Sequence, residues 1–309
     1  VTATVLVLRA LGLGDLLTAV PALRGLRRAY PRHRVLLAAP APLGALLGLL
    51  PEVDELAPTS GLAGFRWERR APDVAVNLHG SGPESVRAVR STGARRIVSH
   101  PHPAVPEVHG PAWDAEQHER QRWCRLLRHH GLEADPDDLL LPVPPEPPAR
   151  PGAVLVHPGA SHGARRWPVE RYAEVARWAS DAGLDVVVTG SGPERARASR
   201  VAELAGLDPE SVLAGRTGLC ELAALVAHAR LLVCGDTGIA HLASAFHTPS
   251  VVLFGPVAPR LWGPPVSARH AALWHGRHGD TFASEPDPGL LALTTEQVLG
   301  AAREVLRAA

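Results

Sequence analysis

The chain opens on Val5-Leu6-Val7-Leu8, a short apolar run with no polar interruption. A glycine-containing turn follows. From about Asp15 to Ala29 apolar positions then recur at helical spacing. The pattern repeats. Arg34 to Ala39 predicts a second strand, with a short helix near Leu43 to Leu49. Asp73 to Leu78 predicts a third strand, ending in His79-Gly80-Ser81-Gly82, and Glu116 to His130 predicts another helix. The alternation restarts with a strand over Ala153 to His157 and a helix over Pro168 to Ala182. A strand over Asp185 to Thr189 and a helix over Pro193 to Ala205 come next. Glu221 to Ala229 reads as helix, Leu231 to Cys234 as strand, Ile239 to Phe246 as helix and Ser250 to Phe254 as strand. Thr294 to Arg307 predicts a terminal helix. Strands that alternate with helices indicate parallel α/β sheets.

The alternation breaks once, where six of the ten residues from Pro142 to Pro151 are proline. Proline fixes φ and cannot continue a helix or a central strand, so 143–151 reads as a stiff linker. A chain of 309 residues suits two domains of about 150 residues each. The expected fold is therefore α/β, with two doubly wound Rossmann-like domains, 1–145 and 152–309, facing a central cleft. The C-terminal helix is expected to pack back on the N-terminal domain.

Composition narrows the class. The formal net charge is +1, which argues against a nucleic-acid-binding surface. All 32 basic residues are arginine, lysine and methionine are absent, and alanine, glycine and proline abound, a bias expected of GC-rich coding. The three cysteines are far apart in apolar contexts and read as buried thiols rather than disulfides. No apolar run approaches the roughly 20 residues that span a bilayer, and no signal-peptide pattern precedes the first strand. A cytoplasmic chain is expected.

The candidate chemistry lies where strands turn into helices. In Val233-Cys234-Gly235-Asp236-Thr237-Gly238-Ile239-Ala240-His241 a strand feeds a helix N-terminus. The free N–H groups and partial positive charge of such an end suit a phosphate. Asp236, Thr237, Gly238 and His241 would face that site. Upstream, His157-Pro158-Gly159-Ala160-Ser161 leaves room for a base or phosphate, and Arg165 offers a planar fork of donors to a diphosphate. Glu194 opens another helix and can accept hydrogen bonds from ribose hydroxyls. In the first domain Gly12 and Gly14 let the backbone approach a ligand and set Asp15 at the end of the first strand. There Asp15 is either a helix cap or a general base for an attacking hydroxyl.

A dinucleotide fold is a poor match. The third glycine of the fingerprint is replaced by Leu17, and the second strand ends at Ala39-Pro40 with no ribose-binding acid. His275 and His278 have no third ligand in sequence reach, so no metal site is expected.

Four stretches in order resemble glycosyltransferase family 9, the ADP-heptose:lipopolysaccharide heptosyltransferases. They are Leu13-Gly14-Asp15 with Pro21-Ala22-Leu23, His157-Pro158-Gly159-Ala160 with Arg165-Arg166-Trp167-Pro168, Gly235-Asp236-Thr237-Gly238 with His241-Leu242, and Leu253-Phe254-Gly255-Pro256. The resemblance implies a GT-B fold, an acceptor-binding first domain and a donor-binding second domain. It implies metal-free, cofactor-free transfer with inversion, Asp15 as the base and Arg165 against the departing diphosphate. Gly14, His157, Gly159, Ser161, Glu194, Asp236, Thr237, Gly238 and His241 match donor-binding positions. Two positions depart from the family pattern. Members usually carry lysine where Arg165 stands, and the loop of His79, an acceptor-side candidate, often carries glutamine. The implied substrates are a nucleotide-diphosphate heptose, ADP-heptose first, and a hydroxyl on a glycan or small natural product. Peripheral membrane contact is expected only for a lipid-linked acceptor. The alternatives are a GT-B transferase with a nucleotide-hexose donor and a non-catalytic nucleotide-sugar-binding protein.

Overall fold

The computed structural model describes residues 3–308. Two compact units divide between Leu139 and Leu140. That is ahead of the boundary expected at 145. The Leu141 N–H donates to Ala245 O at 3.0 Å and the Gly152 N–H to His228 O at 2.8 Å. The proline-rich stretch is thus tied at both ends to the second unit.

In the first unit the elements run β1 (Thr4–Leu8), α1 (Leu13–Ala29), β2 (Arg34–Ala39), β3 (Glu55–Pro58), β4 (Val74–Asn77), α2 (Pro83–Arg90), β5 (Arg96–Val98) and α3 (Glu119–His129). The expected short helix after β2 is a 3₁₀ helix over Ala41–Leu49. The strands form one parallel sheet in the order β3-β2-β1-β4-β5. Val5, Leu6, Val7 and Leu8 of β1 are all buried, as the central strand of a sheet covered on both faces requires.

The second unit contains β6 (Val154–His157), α4 (Val169–Asp181), β7 (Val186–Val188), α5 (Arg195–Ala205), α6 (Leu219–Ala227), β8 (Leu231–Gly235) and α7 (Gly238–Ala245). It continues with β9 (Ser250–Leu253), α8 (Pro259–Trp262), β10 (His270–Leu273), α9 (Pro288–Ala292) and α10 (Thr295–Ala308). Its parallel sheet runs β10-β9-β8-β6-β7. The core beneath α4 holds Trp167 and Tyr172 edge to face at 5.0 Å, and the indole N–H reaches Leu293 O at 3.1 Å.

The C-terminal helix belongs to the second unit. Its buried residues Val298, Ala301, Ala302 and Val305 join the core of the second unit, and α10 packs on α4, β8, β9 and β10. Its apolar stripe is spent on the core of its own domain. The cysteines carry no disulfide. Burial pushes the Cys124 thiol up to about 12, while Cys220, expected to be buried, is partly exposed.

The strand orders locate the sites. In the first sheet the chain moves outward from β1 to β3, then returns to β4 on the other side. In the second it goes from β6 to β7 and returns to β8. Ligands of open α/β sheets bind at the strand carboxyl ends where such a reversal occurs. The reversals lie between β1 and β4, and between β6 and β8.

Candidate active site

Asp15 follows β1 and His79 follows β4, so both flank the reversal of the first sheet. Gly14 and Asp15 are the second and third residues of α1. The Asp15 carboxylate accepts from the Gly12 N–H at 3.2 Å and from Arg9 Nη2 at 3.4 Å, yet 29% of its side chain remains exposed. Gly12 is the N-cap of α1; Asp15, at the third helical position, closes the capping box on it and still presents part of its carboxylate. Burial raises Asp15 above the ordinary carboxylate range, Arg9 opposes that, and Glu119 adds to it. Burial and the charge of Arg9 keep His79 below the usual imidazole range. Its loop is held by Asn77, whose amide donates to Gly80 O, Ser85 Oγ and Ser99 Oγ and whose Oδ1 accepts from the His79 N–H.

Arg9, Glu119 and Arg122 escaped the sequence reading. Arg9 sits directly after β1 and is fully buried. A charged residue at the end of an apolar run reads as the point where a strand meets solvent. The signal available was only that Arg9 stands six residues before Asp15 on the same strand-to-helix turn.

In the second unit His157 ends β6, and Asp236 follows β8. His157 Nδ1 lies 2.9 Å from Thr189 Oγ1, and its burial drives the imidazole well below its ordinary value. Gly159 packs against Glu194, whose carboxylate a Cβ would overlap. Glu194 Oε2 accepts from the Ser191 N–H at 2.8 Å and from the Ser191 hydroxyl at 2.7 Å. Burial alone would raise this carboxyl. The Ser191 bonds, with His157 and Arg166 nearby, bring it below its usual value. Ser161 is solvent-exposed.

The turn carrying Arg165 is strapped from two sides. Arg166 Nε donates to Ala160 O at 3.0 Å and Arg197 Nε to Pro158 O at 2.9 Å. The Ala164 N–H donates to Ala283 O at 3.0 Å, and the Asp287 N–H donates to Ala164 O at 3.1 Å. A Cβ on Gly163 would collide with the backbone of Ser284. Arg165 Nη1 then lies 3.6 Å from Asp236 Oδ2, and Arg165 Nε is buried with no hydrogen-bond partner among the described residues. Thr237 caps α7 in an extended conformation with no side-chain capping bond. His241 on the same helix meets the Trp262 ring edge-on at 6.1 Å. His157, Gly159 and Glu194 therefore form one cluster, and Arg165 with Asp236 a second, on the same edge of the β6–β8 reversal. Among the described residues no three His, Cys, Asp or Glu side chains gather as a metal set.

The family model of glycosyltransferase family 9 (heptosyltransferase) matches residues 63–286. The chain belongs to that family.

Lipopolysaccharide heptosyltransferase 2 of Escherichia coli K12 is 36% identical to it over 154 residues, 46% of this chain and 43% of that protein. The chain thus aligns with less than half the length of that relative. Two solved structures extend the likeness of fold to nearly the whole chain. The Escherichia coli ADP-heptose lps heptosyltransferase II matches with a TM-score of 0.79 at 24% identity, over 98% of both chains. A family 9 glycosyltransferase of Veillonella parvula matches with a TM-score of 0.81 at 21% identity, over 99% of this chain and 98% of that one. The two parallel sheets are those of the GT-B fold. The family 9 match includes His79, Arg165, Glu194, Asp236 and His241, and it begins after Asp15. No helix among the described residues is long and apolar enough to cross a membrane.

Proposed function

We propose that the protein transfers a heptose from a nucleoside-diphosphate donor, ADP-heptose first among them, to a hydroxyl of a glycan or small natural product. The observation that carries this reading is the buried, unpartnered Nε of Arg165 beside the open first turn of α7, in a family 9 chain. A buried guanidinium donor without an acceptor is costly, and a diphosphate oxygen is the acceptor chemistry that suits it.

The reaction follows from these groups. The acceptor hydroxyl gives its proton to Asp15 as its oxygen attacks the anomeric carbon from the face opposite the diphosphate. The anomeric C–O bond to the diphosphate breaks, and the electron pair leaves with the nucleoside diphosphate. Arg165 and the N–H groups at the head of α7 stabilise that negative charge. Configuration at the anomeric carbon inverts in this single displacement. Asp15 later returns the proton to water. Glu194 holds the ribose, Asp236 and His241 face the donor sugar and its phosphates, and no metal takes part.

Donor choice is tested by calorimetry with ADP, ADP-heptose, ADP-glucose and UDP-glucose. Tight binding of ADP-heptose, with nucleoside-diphosphate release on adding a glycan acceptor, supports the reading. Preference for a nucleotide-hexose would make the protein a hexosyltransferase. Binding with no turnover on any acceptor would make it a nucleotide-sugar-binding protein.

A further inference from the structure

The most heavily connected charge in the first domain is Arg9, which is fully buried. Its Nε donates to Asp15 O at 2.9 Å, and its Nη1 donates to Leu78 O at the end of β4. Its Nη2 faces three acceptors: Glu119 Oε1 at 3.0 Å, Thr18 Oγ1 at 3.2 Å and Asp15 Oδ1 at 3.4 Å. A guanidinium nitrogen of this kind has two hydrogens, so three acceptors share them, and Asp15 has the longest contact. The plane of Arg9 lies over the Trp123 ring at 4.9 Å.

Glu119 is equally committed. It is buried, its Oε1 also accepts from Trp123 Nε1 at 3.0 Å, and its Oε2 pairs with Arg122 Nη1. Arg122 is fixed in turn by Gln117 O at 2.8 Å and Asp114 O at 3.1 Å, and it stacks over Trp113 at 4.2 Å. Buried ion pairs are weak sources of stability, because desolvation offsets their attraction. A chain of them leading to the partly exposed carboxylate of Asp15 therefore calls for a reason other than stability.

We infer that Arg9 and Glu119 are positioning residues for Asp15: Glu119 draws the Arg9 guanidinium toward α3, so that Arg9 orients the Asp15 carboxylate through one long hydrogen bond instead of closing on it. This inference rests on reading Asp15 as the base. A two-point Arg–carboxylate pair would occupy the lone pairs that must accept the substrate proton, and it would make Asp15 a poorer base. The division of Nη2 among Glu119, Thr18 and Asp15 avoids this. The charged groups that act on Asp15 are Arg9 from the end of β1 and Glu119 from α3, and Arg9 is faced in turn by Arg122 of α3 and His79 of the loop after β4. Burial and Arg9 keep His79 on the neutral side.

The test follows the titration of the Asp15 carboxyl carbon by ¹³C NMR in protein labelled at aspartate, with Asp15→Asn to assign the signal. Glu119→Gln removes the charge that draws Arg9 away and should lower the Asp15 midpoint by about one pH unit, the scale of a closer opposite charge. Thr18→Val removes one competing acceptor without changing any charge, and it should shift the midpoint the same way. Arg9→Met should raise it, and Glu119→Gln made in the Arg9→Met background should then have a much smaller effect. The acid limb of the transfer rate against pH should move with the NMR midpoint in each variant. Circular dichroism and urea unfolding midpoints establish that each variant is folded. Should Arg9→Met fail to fold, the Glu119→Gln and Thr18→Val shifts decide alone. An unchanged midpoint in both of those variants overturns the inference, as does an equal Glu119→Gln shift with and without Arg9. Failure of the base reading looks different: Asp15→Asn would keep its turnover, whatever the titration of Asp15 shows.

Discussion

Arg165 Nη1 and Asp236 Oδ2 form an ion pair at 3.6 Å across the reversal point of the second sheet. The cation assigned to the diphosphate and the carboxylate at the head of α7 thus restrain each other. Asp236 is 6% exposed, so its charge acts in a poorly screened place. The pairing holds Arg165 beside α7 and offsets part of its charge. A diphosphate that approaches Arg165 must compete with this carboxylate. Arg165→Ala should weaken ADP binding ten- to a hundredfold, from the ~1.5–3 kcal/mol of hydrogen bonds to a charged group. Arg165→Lys should be mild. Asp236→Asn should leave ADP affinity equal or higher while weakening discrimination between donor sugars. Calorimetry with ADP and with the intact donor separates the two sites. ADP binding to Arg165→Ala at wild-type strength would remove the phosphates from this position.

Asp15→Asn keeps the shape of the carboxylate and removes its basicity. Turnover should fall by ~10²–10⁴, the usual yield of a general base, with donor affinity nearly unchanged. Stopped assays of nucleoside-diphosphate release beside donor calorimetry measure both. Near-normal turnover would reduce Asp15 to its part in the capping box with Gly12.

Gly159→Ala should selectively damage the donor site. The new Cβ overlaps the Glu194 carboxylate, so Glu194 must leave its Ser191 bonds or the β6 turn must shift. Donor KM should rise severalfold while the melting temperature changes little, because the clash falls at a strand end outside the core. A large loss of stability with unchanged KM would count against Glu194 as the ribose contact.

The pH dependence of stability should be set in part by His270. Burial, reinforced by His247 and Arg269, lowers its imidazole from 6.5 to about 4, and its Nε2 is buried with no hydrogen-bond partner among the described residues. A folded-state value below the unfolded one means that acid favours the unfolded chain. The contribution is complete above 6.5 and is lost as pH falls through this window to about 4. His157, His100 and His79 are shifted in the same direction by burial. Urea midpoints should therefore decline across this window, and His270→Gln should flatten the decline. The same slope in the variant would assign it to the other histidines.

Metal dependence gives a further check. With Arg165 and the head of α7 taking up the leaving charge, a strong chelator should not change the transfer rate. A rate that falls on chelation and returns with magnesium or manganese would contradict the proposed mechanism.

Much of the fold was legible because the central strands β1, β6 and β8 are continuous apolar runs with both faces buried, and such runs announce themselves. The strands that were missed are β3, β5 and β10, all at sheet edges. Arg96 of β5 and His270 of β10 are polar positions on half-exposed strands, where packing rather than pattern makes the strand. Helix α2 was lost behind Pro83, which reads as a breaker but sits at a first helical position, where its missing N–H costs nothing. Asp15 and Asp236 drew notice because each follows an apolar strand beside glycines, and Arg165 because it stands in a turn between a strand and a helix. Arg9 and Glu119 were invisible because their partners lie 110 residues apart. No local pattern distinguishes a buried arginine from a solvated one.

Thr295–Ala308 form a helix that closes the core of the half carrying Arg165 and Asp236. That half finishes its own interior with its own final residues. Inheritance can treat such a piece as a cassette. Recombination ahead of Leu140 would pass on the half that the proposed function assigns to the donor, together with this helix. Under the proposed function, the acceptor could then change from one descendant to the next while the donor stayed the same.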